Sequence, residues 1–357
     1  MKRITSVLLV LVMLVGLLLS GCSCSKKTEE PATEATQAPT QVTVPSSDGT
    51  VSYRHPLTGE LLAQPWSGTL AAVMVNNIKQ SMPQHGLSQA DIIYEIEEES
   101  SITRNLAIYS DVAKAGTIGS IRSTRTYFVS VAASYDAYLV HCGASSHARP
   151  GGYDANGNTL ENWKHLDQAA GANDSYFFRD KDRYSAGYAW EHTLFTTGAK
   201  LAEYLQDKEQ SAVTPVFGFK EGIDLGGETA NEITIKFKGT KTTAFTYDAT
   251  TGRYTRAQHG GESVDGGTNQ PETVKNVIAI YTNQWLCDKG HGHQYYDTIG
   301  SGEGYAATNG KIVPIKWSRA SVNAPYTYTL ADGSPLELDV GNSYIAVVGT
   351  KYPLEYK

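Results

Sequence analysis

The sequence predicts an α+β protein, in which an N-terminal mixed α/β domain precedes a mostly antiparallel β domain. Leu70–Asn76 is a continuous apolar run of the kind found in strands that are buried on both faces. Thr126–Tyr135 spaces its apolar residues along one face of a helix. After about Gly227 the chain changes to short β-rich runs separated by turn signals. We therefore expect one domain over residues 53–226 and a second over residues 227–357.

The first 21 residues have the pattern of a signal peptide. A cationic start, Met1-Lys2-Arg3, precedes the apolar run Val7–Leu19. Thirteen helical residues span about 20 Å, whereas a bilayer core needs roughly 30 Å, which disfavours the alternative of an uncleaved membrane span. The following Leu19-Ser20-Gly21-Cys22 resembles the bacterial lipobox. This resemblance implies cleavage before Cys22, lipid on its thiol, and a protein held on the extracytoplasmic face of the cell membrane.

Residues 22–52 are expected to form a disordered tether behind the lipid. Ser25–Thr50 has no aromatic residue, few aliphatic residues and much Thr, Pro and Glu. Such a segment cannot bury enough apolar surface to offset the entropy of ordering it.

The folded body offers a series of strand and helix candidates. In the first half we predict strands at 70–76, 91–97, 105–109 and 137–141, and helices at 126–135 and 197–206. In the second half we predict strands at 233–237, 244–247, 254–257, 274–281, 305–308, 312–317, 326–330 and 344–348. Asn309-Gly310 between two of these runs predicts a β-hairpin.

Charge argues against a nucleic-acid partner. The formal charge of the chain is −7, and the loss of Lys2 and Arg3 with the signal peptide makes the remaining chain more acidic still. A nucleic-acid-binding protein needs a basic face.

Cys142 and Cys287 are the two cysteines of the folded body, and the sequence leaves open whether they pair.

The segment Ile118–Arg125 is the first candidate site. It leads from a strand into the predicted helix, so that Arg122 and Arg125 would share a first helical turn with Ser123 and Thr124 as capping residues. Helix N-termini and paired guanidinium groups bind phosphate, pyrophosphate or carboxylate. The alternative is that the arginines are internal ion-pair partners of Asp91, Glu95 or Asp136.

A second group of polar residues precedes this turn. Asn76 and Asn77 end the first strand, Asp91 and Glu95 flank Ile93 on one face of the second, and Arg104 opens the third. Two carboxylates on one face are candidates for holding a divalent cation or for balancing the arginines. The alternative is a salt-bridged polar layer. Glu97-Glu98-Glu99 is interpreted as a solvated strand end.

One further group of residues is a candidate metal site. Cys287, His291 and His293, with Asp288 beside them, are candidate metal ligands, although their spacing matches no closed zinc motif and their Gly-rich setting suggests a mobile loop. No cofactor is expected beyond a possible divalent cation. A Gly-x-Ser-x-Gly elbow, a P-loop and a His-Glu-x-x-His motif are absent from the sequence.

The chain resembles the YerB-like lipoproteins, a family without a settled activity. The matching stretches occur in order and cover the chain from about His55 to its end. They are Asn76-Asn77, Gly86–Glu95, Ile102–Arg104, Ile118-Gly119, Ile121–Ser123 with Arg125, Tyr135–Ala137, Val274–Ile278, Gly300–Gly304 and Lys316–Arg319. The resemblance implies two domains and a lipid anchor. The chain departs from the family at Ser100-Ser101 and at Ser120.

A shorter stretch resembles the LytR–CpsA–Psr phosphotransferases, which hold a polyprenyl pyrophosphate with arginines and a metal. Ser88, Asp91, Ser120 and Arg122 carry the likeness, but Ser123 stands where that family has an acid after its arginine. We take it as an indication of ligand class only.

These observations favour a non-catalytic cell-envelope lipoprotein that binds an anionic wall-derived or lipid-linked ligand, or an envelope protein, beside Arg122 and Arg125. One alternative is a phosphotransferase or hydrolase acting on lipid-linked pyrophosphates, and the sequence does not decide whether the protein is an enzyme. Another is a pure protein-interaction module whose Tyr-rich β domain supplies aromatic anchors.

Overall fold

The computed structural model describes residues 42–45, 51–99, 101–152, 154, 157–171 and 173–357. These residues belong to one compact unit, Ala38–Lys357. The predicted signal peptide, the lipidated Cys22 and most of the predicted tether lie outside the described residues. The end of the predicted tether is not disordered, because Thr43–Pro45 pairs antiparallel with the strand Val51–Arg54. Strands make up 43% and helices 14% of the structure, so β-structure dominates.

The strands and helices follow one another along the chain. The strands are β1 (Thr43–Pro45), β2 (Val51–Arg54), β3 (Leu61–Leu62), β4 (Ala71–Asn76), β5 (Ile92–Glu99), β6 (Ile102–Tyr109), β7 (Thr117–Gly119), β8 (Tyr138–His141), β9 (His165–Asp167), β10 (Phe178–Arg179), β11 (Leu194–Thr197), β12 (Gly218–Phe219), β13 (Glu228–Thr229), β14 (Glu232–Lys236), β15 (Thr242–Asp248), β16 (Arg253–Gln258), β17 (Gly261–Glu262), β18 (Val264–Asp265), β19 (Gln270–Pro271), β20 (Thr273–Val274), β21 (Asn276–Thr282), β22 (Gln284–Asp288), β23 (His293–Tyr296), β24 (Gly300–Thr308), β25 (Lys311–Arg319), β26 (Thr327–Leu330), β27 (Glu337–Leu338), β28 (Ser343–Gly349) and β29 (Glu355–Tyr356). The helices are α1 (Thr126–Ser134), α2 (Lys181–Ser185) and α3 (Gly198–Leu205).

A large mixed sheet runs through the whole unit. Within the described residues it has eleven strands in the order β13-β25-β24-β21-β28-β5-β6-β4-β8-β9, with β26 also on β25. The two halves of the chain meet where β28 pairs in parallel with β5, so that Ser343 lies opposite Ile92 and Val347 opposite Ile96. Strands from both predicted domains therefore share one hydrogen-bonded sheet, and the boundary near residue 227 stays a prediction.

The two faces of this sheet bury two different apolar clusters. Alternate residues of β4 point to opposite faces, so that Met74 joins one cluster and Val73 the other. Helix α1 contributes Phe128 to the first cluster. The second cluster includes Leu201 of α3 and Phe245 of the smaller sheet, which pairs as β17-β16-β15-β14-β29 with β20 on β16. The smaller sheet and α3 thus cover one face, and α1 covers the other.

Most of the predicted elements are present. Every residue of β4 is buried, as its apolar run predicts, and α1 begins at the predicted Thr126. Asn309 and Gly310 have φ values of 50° and 73° in the turn between β24 and β25, which is the left-handed geometry that this dipeptide favours. β22 and β23 pair as a hairpin whose turn carries His291, so the predicted loop is confined to that turn and its mobility stays a prediction.

Candidate functional site

The three glutamates that end β5 are not a solvated strand end, as the sequence suggested. Glu97 and Glu98 are fully buried and Glu99 is half-buried. Glu98 forms ion pairs with both Arg104 and Arg125, the latter at 2.7 Å. Arg125 also contacts the Glu99 carboxylate at 2.5 Å. Burial of a charge is tolerated when it is paired, and this pairing explains why the acidic end of β5 turns inward.

Burial dominates the electrostatics of this ion-pair cluster. It raises the pKa of Glu98 from 4.5 to about 7, although Arg104 and Arg125 act in the opposite direction. It also lowers the pKa of Arg104 to about 10, and Glu98 opposes that change. Arg125 is therefore an internal ion-pair partner, the alternative that the sequence left open, but its partners are Glu98 and Glu99 rather than Asp91, Glu95 or Asp136.

The arginine turn does not have the predicted helical geometry. Helix α1 begins at Thr126 with Arg125 as its N-cap residue, and no side chain caps it. The Ser123 hydroxyl instead donates to the Cys142 carbonyl at 2.8 Å. Residues 121 and 124 form bridges to Val75 and to Ala144, which hold this segment extended. Arg122 and Arg125 consequently lie outside a shared helical turn, and the predicted capping by Ser123 and Thr124 is wrong.

Arg122 differs from the other two predicted arginines. It is partly exposed, and within the described residues no carboxylate lies within ion-pair distance of it. Its guanidinium makes one long contact of 3.5 Å to the Glu191 carbonyl. Its Nε atom is buried without a hydrogen-bond partner in the described structure. Arg122 therefore retains donors that are available to a ligand.

A second arginine, which the sequence did not indicate, lies beside Arg122. Arg179 on β10 donates to the Trp190 carbonyl at 2.7 Å, one residue before the carbonyl that Arg122 contacts. Its guanidinium stacks over the Trp190 ring at 4.4 Å. Burial lowers the pKa of Arg179, and the charge of Arg122 lowers it further. The two guanidinium groups thus contact the carbonyls of two consecutive residues, and we call them the Arg122–Arg179 pair.

The predicted asparagines and Glu95 lie in a buried polar network. Asn77 donates to Glu95 at 2.9 Å and to Thr103 at 2.8 Å. Asn76 contacts the His192 ring at 3.0 Å, which is a separate interaction. These amides have protein partners and are buried, so they support the fold rather than a ligand.

Glu95 joins the two sheets. Arg256 on β16 contacts it at 2.7 Å, Lys241 at 3.2 Å, and the Tyr344 hydroxyl donates to it at 2.7 Å. Burial alone would raise the pKa of Glu95, but Lys241 and Arg256 overcome that effect and lower it to about 2. Arg256 also pairs with Glu272 at 3.0 Å. This arrangement corresponds to the predicted alternative of a salt-bridged polar layer.

Asp91 does not join Glu95 in a cation site. It precedes β5 and accepts a hydrogen bond from the Ser110 backbone at 2.6 Å. Four residues of strand separate the two carboxylates by about 13 Å. The expected divalent cation between Asp91 and Glu95 therefore has no support in the geometry.

The hairpin of β22 and β23 brings some of the predicted metal ligands together. Asp288, His291 and His293 place ligand atoms within 4.8 Å of one another. Cys287 is outside this group, and its thiol contacts the His293 carbonyl at 3.3 Å. Cys142 contacts Gln168 at 3.1 Å. The two thiols are free and do not pair.

The described tyrosines of the second half are buried or half-buried. Tyr254, Tyr296, Tyr326, Tyr328 and Tyr344 are buried, and Tyr247, Tyr281, Tyr295, Tyr305, Tyr352 and Tyr356 are half-buried. The exposed aromatic side chains of the described residues are Phe178, Tyr184, Trp190 and Trp285. The first three belong to the segment that carries Arg179, not to the β-rich half.

One cavity of about 480 Å³ lies away from the arginines. Gln84 and Gln258 line it, and their amides are hydrogen-bonded to each other at 3.0 Å. It borders the Glu95 network, whose charged groups are already paired. Arg122 and Arg179, in contrast, have no carboxylate within ion-pair distance among the described residues, so their charges are more available to a ligand than those of the Glu95 network.

Comparison with known proteins agrees with this fold. Residues 57–211 match the N-terminal domain, and residues 233–345 the C-terminal domain, of a protein family described as "Protein of unknown function (DUF3048)". The chain belongs to the DUF3048 family. The Bacillus subtilis (strain 168) protein named "Putative lipoprotein YerB" is 27% identical over 280 residues, which cover 78% of this chain and 80% of that protein.

A solved structure of a DUF3048 relative has the same fold. The crystal structure of the YerB protein from Bacillus subtilis superposes with a TM-score of 0.69 at 24% identity, covering 85% of this chain and 99% of that one. In the part of the chain that is described, no helix is both long enough and apolar enough to cross a membrane.

Proposed function

We propose that this DUF3048 protein is a non-catalytic lipoprotein of the cell envelope, anchored through Cys22, that binds an anionic envelope ligand at the Arg122–Arg179 pair. The ligand would carry a phosphate, pyrophosphate or carboxylate group, as wall polymers and lipid-linked precursors do. The observation that carries the proposal is that two guanidinium groups contact the consecutive carbonyls of Trp190 and Glu191 and have no acidic partner within ion-pair distance among the described residues.

Local charge supports an anion at this position. Arg104 and Arg125 lie close enough to affect one another's charge, and Arg122 also acts on Arg104. Among the described residues, Glu98 and Glu99 are the acids that form ion pairs with them, and burial favours the neutral form of Glu98. Guanidinium groups bind phosphate and carboxylate oxygens bidentately, with hydrogen bonds stronger than those between neutral groups.

The aromatic neighbours of Arg179 suit a ligand with an apolar or sugar part. Trp190 is 56% exposed and stacks edge-on against Tyr184 at 5.7 Å. The contact with Arg179 holds the Trp190 ring in place. A phosphorylated glycan or lipid-linked sugar combines an anion with a surface of this kind.

A binding role is favoured over catalysis. Within the described residues, no hydrogen bond joins a serine or cysteine side chain to a histidine ring. Asp91 and Glu95 are separated and Glu95 is already paired. The phosphotransferase alternative therefore lacks the converging pair of carboxylates, Asp91 and Glu95, on which the sequence argument depended.

Calorimetric titration with pyrophosphate tests the proposal. The chain from residue 22 onward, with Cys22→Ser to prevent acylation, would be titrated at low salt with pyrophosphate, phosphate and acetate. A hydrogen bond to a charged group contributes about 1.5–3 kcal/mol, so Arg122→Ala and Arg179→Ala should each weaken binding roughly 10- to 100-fold.

Arg149→Ala is the matched control, because Arg149 is an exposed arginine of the same half of the chain. It should bind as the parent does. Absence of saturable binding by the parent, or an equal loss in Arg149→Ala, would refute a specific site.

A further inference from the structure

The turn between β22 and β23 carries two histidines and an aspartate whose ligand atoms converge. The Nδ1 atom of His291 lies 2.7 Å from Oδ2 of Asp288, and Nδ1 of His293 lies 3.6 Å from the same oxygen. The two imidazole rings are nearly parallel, with 16° between their planes and 5.3 Å between their centres. Both rings therefore direct the same nitrogen towards one carboxylate oxygen.

The distances between these nitrogen and oxygen atoms can be compared with those between ligand atoms around zinc. Zinc bonds to histidine nitrogen and carboxylate oxygen are about 2.0–2.2 Å long. In a tetrahedron with such bonds, ligand atoms lie about 3.3–3.6 Å apart. The separation of 3.6 Å between His293 and Asp288 lies in this range. The separation of 2.7 Å between His291 and Asp288 is that of a hydrogen bond, and a rotation of the exposed His291 ring away from Asp288 would lengthen it into the range.

The backbone of the turn orients the aspartate. Oδ1 of Asp288 accepts hydrogen bonds from the backbone of Gly290 at 2.8 Å and of His291 at 3.3 Å. These bonds leave Oδ2 directed towards the histidines. A carboxylate held by backbone N–H groups is preorganised for a ligand, because its orientation does not depend on the metal.

A second carboxylate lies on the other side of His293. Its Nε2 atom is 3.5 Å from Oε1 of Glu99, and Arg125 holds that glutamate. Metal-binding histidines commonly direct the second ring nitrogen to a carboxylate, which fixes the tautomer that leaves the first nitrogen free for the metal. Within the described residues, Nδ1 of His293 is buried and has no hydrogen-bond partner.

We propose that Asp288, His291 and His293 bind a zinc ion, with Glu99 as the carboxylate that positions His293. Three protein ligands leave a fourth position on the exposed side of the turn for water or a ligand group. The donor set of two imidazoles and one carboxylate favours zinc over magnesium or calcium, which prefer oxygen ligands. This site uses different residues from the Arg122–Arg179 pair and does not depend on anion binding.

Metal titration tests the proposal directly. The chain from residue 22, carrying Cys22→Ser and no histidine tag, would be freed of metal with a chelator and titrated with zinc chloride against a chromophoric chelator. We expect one zinc ion per chain and at least a tenfold weaker affinity in His291→Ala and in His293→Ala. Glu99→Gln should weaken binding by roughly 10- to 100-fold.

Cobalt chloride supplies a second readout that does not depend on stability. Bound cobalt should show visible absorption of tetrahedral intensity without a thiolate charge-transfer band, and Cys287→Ser should leave spectrum and affinity unchanged. His291 lies in an exposed turn, so its alanine variant is expected to fold, and circular dichroism would verify this. Zinc binding that is substoichiometric, or unchanged in His291→Ala and His293→Ala, would overturn the proposal and leave Asp288 and the histidines as a hydrogen-bonded turn.

Discussion

Replacement of Glu95 by glutamine should destabilise the protein strongly, because this carboxylate links the two sheets. Arg256 and Lys241 lower its pKa from 4.5 to about 2 against the effect of burial. That difference corresponds to about 3 kcal/mol of stability. Loss of one partner from a buried ion pair costs about 3–5 kcal/mol, so Glu95→Gln should lower the free energy of unfolding by about 3 kcal/mol at pH 7.

The loss of unfolding free energy in Glu95→Gln should depend on pH. A carboxyl group with a lowered folded-state pKa contributes stability above its unfolded pKa and loses it as the pH falls through the folded pKa. The difference between the parent and Glu95→Gln should therefore be constant above about pH 5 and should shrink between about pH 4.5 and pH 2.

Urea unfolding followed by tryptophan fluorescence at several pH values would measure the difference in free energy of unfolding between the parent and Glu95→Gln. Glu232→Gln is the matched control, because Glu232 forms an exposed ion pair with Lys357, and exposed pairs contribute little. A loss below 1 kcal/mol at pH 7 in Glu95→Gln, or a loss that does not change down to pH 3, would refute the account of Glu95 as a buried, charged link.

Substitutions at three further positions test local features of the fold. Burial raises the pKa of Glu98 to about 7, so the stability that protonated Glu98 contributes is present below about pH 4.5 and is lost as the pH rises through 7. Over that range the free energy of unfolding of the parent should fall by about 3 kcal/mol relative to Glu98→Gln in urea titrations. Parallel curves of unfolding free energy against pH for the two proteins would contradict this. In Gly304→Ala the new Cβ would lie 2.4 Å from the Ala279 carbonyl oxygen, which should cost about 1–3 kcal/mol and lower the melting temperature, whereas an unchanged melting temperature would show that β24 can move. The Thr197 hydroxyl caps α3 by accepting from the Lys200 backbone at 3.3 Å; Thr197→Ala should cost about 1 kcal/mol and Thr197→Ser much less, and equal losses would exclude the cap as the cause.

Local patterns predicted the elements well where one physical signal dominated. The apolar run of β4 predicted a strand buried on both faces, and every residue of β4 is buried. The spacing of Phe128 and its neighbours predicted the helix, although all nine residues of α1 are buried and not one face alone. The Asn309-Gly310 turn followed from the backbone angles that these residues tolerate. The parallel pairing of β28 with β5 had no such signal, because the register of distant strands depends on the complete sheet.

The candidate site was harder to predict because it depends on residues that are distant in sequence. Arg122 was identified, but its neighbour Arg179 lies on a separate short strand that no periodicity marked. Glu98 was assigned to solvent, although side chains alternate along a strand and three consecutive glutamates could not all face water. Arg256 lies on the same buried face of β16 as Tyr254, two residues before it. This alternation in the sequence indicates that the Arg256 side chain points into the protein.

The nitrogen resonances of the arginine side chains during a pyrophosphate titration test the central claim most directly. Arg122→Lys and Arg179→Lys would assign the two Nε–H signals in the unacylated chain. The account predicts that these two signals shift together and saturate, while that of the buried, paired Arg256 stays in place. If no arginine signal saturates, or if the exposed Arg149 responds as strongly as Arg122, then the Arg122–Arg179 pair is not an anion site.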